Sequence, residues 1–200
     1  MTRNQIKFAS TLAILPLLLS ATPAFAHKLH KKGEATSVAA SSLTVIPARD
    51  WNQLSARIGK NTETWTLDGE QLNDVTFFGG IEAGKPLVKE KSKKREPLPK
   101  FTKSTLLAEV PELLERTSRA YKGSGSFLVA TVEPVRFLDS DGVYFSYEFT
   151  DEDQLTRKGE ARAAIIRGKL YMITLEAPRL NYFGKVAPDF RALADTARLR

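Results

Sequence analysis

The 200 residues include no cysteine, which excludes thiol nucleophiles, CxxC redox chemistry, disulfides and cysteine-held metals. Histidine is almost as scarce, with only His27 and His30. Both fall in a polar stretch expected to lie outside the folded domain, so neither a Ser-His-Asp triad nor a histidine zinc site is expected inside it. Phosphate loops are missing too: Gly79-Gly80 and Gly123-Ser124-Gly125 lack the strand, lysine and helix such loops require. Gly123-Ser124-Gly125-Ser126 is not a G-x-S-x-G nucleophile elbow. After Leu19 no apolar run is long enough to cross a bilayer as a helix. A hydrophobic content of 42% still suffices for an ordinary core without cross-links.

What is present begins with an address. Arg3 and Lys7 form a basic head, Phe8 to Leu19 is mostly apolar, and Ala24-Phe25-Ala26 places small residues before His27. That order predicts a signal peptide, residues 1–26, cleaved after Ala26, and a mature chain in the periplasm or secreted. No cysteine follows the apolar run to take a lipid, so a lipoprotein is excluded. No transmembrane segment is expected in the mature chain.

Charge is unevenly placed. The formal total is +7, yet residues 85–103 alone hold eight lysines and arginines against two glutamates, a net of +6. Residues 27–43 carry Lys28, Lys31, Lys32 and Glu34 and are read as a flexible basic lead-in of low complexity. A single α+β domain is expected over 44–200. The run Lys89, Lys91, Lys93, Lys94, Arg95 is the candidate contact with an anionic surface, such as lipid head groups, acidic polysaccharide or an acidic protein face. Nucleic acid is not an expected partner, because no aromatic residues interleave these cations and the chain is expected to be exported.

Short strands are predicted at 43–47, 63–67, 75–78 and 86–88, with a helical turn at 49–52 capped by Asp50. Leu106, Leu107, Val110, Leu113 and Leu114 recur at helical spacing, with Pro111 in the first turn and Gly123 as the stop. Four long strands follow, the first interrupted by Pro134, which marks a bulge or a sheet edge. Asp139 to Gly142 is assigned to a hairpin turn and Arg167-Gly168 to another. Val143, Phe145, Tyr147 and Phe149 alternate with polar neighbours and form one strand face. Residues 186–198 form a closing amphipathic helix with Pro188 in its first turn. The pattern predicts an α+β fold, a central antiparallel sheet whose C-terminal part is a meander, flanked by helices.

The acidic residues give no catalytic pattern. Asp139-Ser140-Asp141-Gly142 starts like a calcium loop, but the twelfth position is Thr150, so no metal site is assigned. Nor is a metal site assigned to His27, Lys28 and His30, which are read as a solvated leader. A Glu148–Arg162 cross-strand pair is expected. No spacing identifies a glycosidase carboxylate pair.

The stretch Gly159 to Pro178, with its tight glycine turn and Ala177-Pro178 stop, together with Asn181-Tyr182-Phe183 and Phe190-Arg191-Ala192-Leu193, resembles the Mog1/PsbP-like group of α/β/α sandwich proteins. Trp65-Thr66-Leu67-Asp68-Gly69 and Leu72-Asn73 resemble an exported bacterial family with no assigned activity. The resemblance covers residues 44–200 and implies an α/β/α sandwich whose members mostly bind other proteins. The resulting expectation is an exported, non-enzymatic binding domain without cofactor, contacting a partner protein or an anionic envelope surface. The alternatives are a carboxylate-dependent hydrolase of an envelope polymer and a carrier of a small apolar ligand. Of the large aromatics, Trp51, Trp65, Phe77, Phe78 and Tyr144 are expected mostly in the core, with Tyr182 and Phe183 as candidate partner contacts.

Overall fold

Strand-forming sequence dominates the computed structural model, which describes residues 28–90 and 97–200. The elements are β1 (Lys28–His30), β2 (Thr36–Ser37), β3 (Leu43–Val45), β4 (Trp51–Gln53), β5 (Thr62–Thr66) and β6 (Asp74–Glu82). A 3-10 turn (Leu107–Glu109) leads into α1 (Val110–Lys122). Then come β7 (Phe127–Phe137), β8 (Ser140–Thr150), β9 (Thr156–Ile166), β10 (Lys169–Pro178), α2 (Phe183–Asp195) and β11 (Arg198–Leu199). Eight strands form one sheet in the order β1-β4-β5-β6-β10-β9-β8-β7, and β11-β3-β2 form a small second sheet. Every pairing is antiparallel.

The sheet has two buried faces because its central strands are apolar on both sides. On β10, Leu170 and Met172 join one core with Phe145, Tyr147, Phe149, Val110 and Leu114. Tyr171, Ile173 and Leu175 join the other with Trp65, Phe77, Val186 and Phe190. Helix α1 therefore lies against one face and α2 against the other. Helical cover is partial. Leu87, Leu98 and Phe101 of the β6–α1 connection complete the first core, and Val38, Ala39, Leu43 and Val45 complete the second.

The α+β expectation holds, as do Pro111 in the first turn of α1 and Gly123 as its left-handed stop at φ 67°. Strand β7 lies at the sheet margin, so Pro134, in regular register opposite Val143, marks an edge; the bulge of this strand lies elsewhere, between Val129 and Thr131.

Several expectations are corrected. The lead-in at 27–43 is not free over its described part. β1 pairs with β4, β2 pairs with β3, and His30 is 4% exposed. Polar composition hid this, because His30 is buried by stacking on Trp65 at 4.1 Å and by hydrogen bonding to Gln53 at 3.0 Å. Residues 51–53 are strand rather than helix, and Asp50 accepts hydrogen bonds from the Lys32 N–H and the Lys31 ammonium. Residues 86–88 make only an isolated bridge from Pro86 to Lys100. The β7–β8 turn is Leu138-Asp139, both at positive φ, rather than Asp139 to Gly142. Gly142 serves packing instead, since a Cβ there would meet the Ala163 carbonyl at 2.7 Å. Helix α2 starts at Phe183, so Pro188 lies inside it. Glu148 pairs with Arg179, while Arg162 reaches Asp195 on α2.

Candidate functional site

Among the clefts on the α1 side of the sheet, two lie at opposite ends of β6 and β10. The first has a volume of about 550 Å³, within the range of ligand pockets. Its floor is Ile81, Leu87 and Val88, all largely buried. Its rim carries the exposed cations Arg57, Lys60, Lys85 and Lys89. Backbone bonds hold this rim: the Lys89 N–H donates to Ile58 O at 2.7 Å, and the Gly79 N–H donates to Asn61 O at 2.9 Å. Gly59 permits the close approach, because a Cβ there would lie 3.1 Å from the Leu87 carbonyl. The acid at this rim, Glu82, is paired with Lys169 at 3.3 Å. None of the four rim cations forms an ion pair among the described residues.

Lys89 is thus the part of the candidate basic segment that the structure places, at the mouth of this cleft. Lys91, Lys93, Lys94 and Arg95 lie outside the described residues. The composition of 85–95 pointed to this region. Arg57 and Lys60 were missed because a β-strand pairing, not sequence proximity, brings their loop alongside.

The second cleft, about 160 Å³, is lined by Glu70, Asp74, Asp151 and Glu176 together with Lys122 and Arg157, and by the Phe149 ring. Asp74 and Glu176 are directly opposed across β6 and β10. Glu176 accepts a hydrogen bond from the Tyr147 hydroxyl at 3.0 Å and another from the Lys122 ammonium. Burial, then the adjacent Glu176 charge, pushes the Tyr147 phenol well above its ordinary value, so it remains a donor. Arg157 donates to Gln71 O at 3.2 Å and lies 3.7 Å from Asp151. Asp74 differs from its neighbours. Its Oδ1 is wholly buried with no hydrogen bond among the described residues, and burial pushes its carboxyl up to about 7, Lys122 opposing and Glu176 adding. The cleft is about half the size of the smallest usual ligand pockets, ~300 Å³.

The remaining candidates separate. Phe183 is 7% exposed and belongs to the α2-side core, with Lys158 Nζ 5.2 Å from its ring centroid; it is not a free contact. Tyr182 is half-buried beside it, and Leu180 in the same link is 72% exposed. His30 lies inside the domain, where its Nε2 is 3.6 Å from Glu63 Oε1. Glu63 in turn accepts from Trp65 Nε1 at 2.7 Å and from the Ala39 N–H at 3.1 Å. This locks an N-terminal strand rather than forming a reactive centre. No cluster of three or more histidine or acidic groups suited to a metal ion occurs among the described residues. No helix among them is long and apolar enough to cross a membrane.

No protein-family model and no curated protein matches the chain. Among solved structures, LpqN, described as involved in cell envelope biogenesis of Mycobacterium tuberculosis, has a TM-score of 0.38 at 6% identity, over 90% of this chain and 87% of that one. Nothing is drawn from so distant a likeness. The cyanobacterial PsbP (CyanoP) of Synechocystis sp. PCC 6803 is similar with a TM-score of 0.56 at 13% identity, over 92% of this chain and 99% of that one. At that identity the likeness concerns architecture alone: the chain has a PsbP-like fold.

Proposed function

We propose that this chain is an exported, non-enzymatic binding domain, released after Ala26, that holds an anionic group of the cell envelope in the cationic cleft. The observation that supports this reading is the cleft itself: four rim cations without ion-pair partners among the described residues, set over an apolar floor. Unneutralised cations around a concave, partly apolar surface attract an anionic head group and shield the carbon atoms attached to it. The rim runs in sequence straight into Lys91, Lys93, Lys94 and Arg95, which enlarge the positive field.

The test is retention on vesicles of phosphatidylglycerol, against phosphatidylcholine, at low and high salt. Retention is expected on the anionic vesicles only, and is expected to weaken as salt rises. Replacing Arg57, Lys60, Lys85 and Lys89 with serine lowers it by about a thousandfold, from ~1 kcal/mol per surface cation. Replacing Lys91, Lys93, Lys94 and Arg95 weakens it as well. Unchanged retention of the first variant in low salt overturns the reading.

A further inference from the structure

The smaller cleft on the α1 side is the most unusual electrostatic feature of the fold, and the anion-binding reading leaves it unused. Four carboxyl groups against two cations give its lining a formal net charge of −2 once Asp74 has released its proton, above about pH 7. Both cations are already engaged, Arg157 with Gln71 O and Asp151, and Lys122 with Glu176. Asp74 Oδ1 is left buried without a hydrogen bond among the described residues. An orphaned buried carboxylate oxygen is costly, and a donor that reaches it relieves that cost.

The cleft also shows what kind of donor it accepts. The Lys122 side chain enters from the last turn of α1, and its ammonium lies on Glu176 and 5.6 Å from the Phe149 ring centroid. A carboxylate beside an aromatic face is a recurrent ammonium environment. Volume limits the occupant to a small group, which excludes a nucleotide.

We propose that this cleft binds a primary alkylammonium group, which donates to Asp74 and packs its short carbon chain against Phe149. Glu70 and Asp151 at the rim attract the cation, and Lys122 stays on Glu176. Arg157 and Lys122 repel it, which keeps the affinity modest and restricts the site to groups that reach Asp74. The charged and titratable side chains facing Asp74 are Glu70 from the β5–β6 link, Lys122 from α1, Arg157 from β9 and Glu176 from β10.

The experiment is a heteronuclear NMR titration of the purified chain with n-butylammonium at physiological salt, at pH 8 and at pH 5.5, with tetramethylammonium as a cation that has no N–H. Saturable shifts in the Asp74, Phe149 and Glu176 region are expected with n-butylammonium alone. Affinity falls about 30-fold at pH 5.5, where Asp74, with its carboxyl at about 7, has taken up its proton. Asp74→Asn abolishes binding at pH 8, and Glu70→Gln weakens it while keeping the pH dependence. Parallel titration with Nα-acetyl-lysine methylamide separates the sources: binding of both probes assigns the site to lysine side chains, and binding of n-butylammonium alone to free amines. No saturable shift at pH 8, or equal binding by folded Asp74→Asn, overturns the proposal.

Discussion

Gly159 decides the acidic cleft although it carries no side chain. It stands opposite Tyr147 on β8 and opposite Glu176 on β10. A Cβ there would fall 2.3 Å from the Tyr147 ring, so the ring lies over the bare glycine backbone and delivers its hydroxyl to Glu176. Gly159→Ala is therefore expected to displace Tyr147, break that hydrogen bond and destabilise the protein by about 2 kcal/mol. Urea unfolding measures the loss, and a change in the tyrosine near-ultraviolet signal reports the displaced ring. The sequence displays none of this arrangement directly. Lys122 and Glu176 are 54 positions apart, and Asp74 joins them through a strand pairing. The one visible sign is Glu176 itself, a lone acid near the end of a mostly apolar strand, Leu170 to Ala177.

At the scale of elements, α2 is fixed to the sheet by more than its apolar stripe. Glu160 on β9 is 2% exposed and receives two hydrogen bonds from the Arg191 guanidinium, the Nε one at 2.9 Å. That contact raises the Arg191 pKa further, the hydrogen bonds to Glu160 being the first cause. Arg191→Ala leaves the buried Glu160 carboxylate to the Tyr144 hydroxyl and, because the guanidinium is half exposed, is expected to cost about 2 kcal/mol, measured by urea unfolding. Arg191→Lys restores only part, since an ammonium cannot donate in the same two-pronged geometry. Elements with a local signature were legible in the sequence: the alternation along β8, Pro111 and Gly123 around α1, and the Arg167-Gly168 turn. Those missed depend on distant partners. β1 is held by Gln53, Glu63 and Trp65. The Leu138-Asp139 turn was obscured by Gly142, a glycine required for interstrand packing and so mistaken for a turn residue.

For the molecule as a whole, two buried ionisable groups tie stability to pH in opposite directions. The folded state keeps the Asp74 proton up to about pH 7, whereas the unfolded chain releases it near 3.8. Between those values the folded state binds more protons, so this contribution is lost as pH rises through the window and stays lost above it. Relative to Asp74→Asn, the wild-type chain is expected to lose roughly 4 kcal/mol between pH 4 and pH 8. His30 acts the other way. Burial lowers its pKa below 6.5, so the unfolded chain takes up a proton first and stability falls as pH drops below that value. Urea midpoints across pH for wild type and Asp74→Asn check the first effect, and His30→Gln, which removes the acid-side loss, checks the second.

The long strand β7 leaves one side of the eight-stranded sheet uncovered, yet it is a poor template for further growth. The irregularity after Val129 puts its backbone groups out of step, and five positions on Pro134 has no N–H to give. A foreign strand laid there can bond only in short, interrupted stretches. Growth of the sheet past β7 is accordingly checked at those two positions.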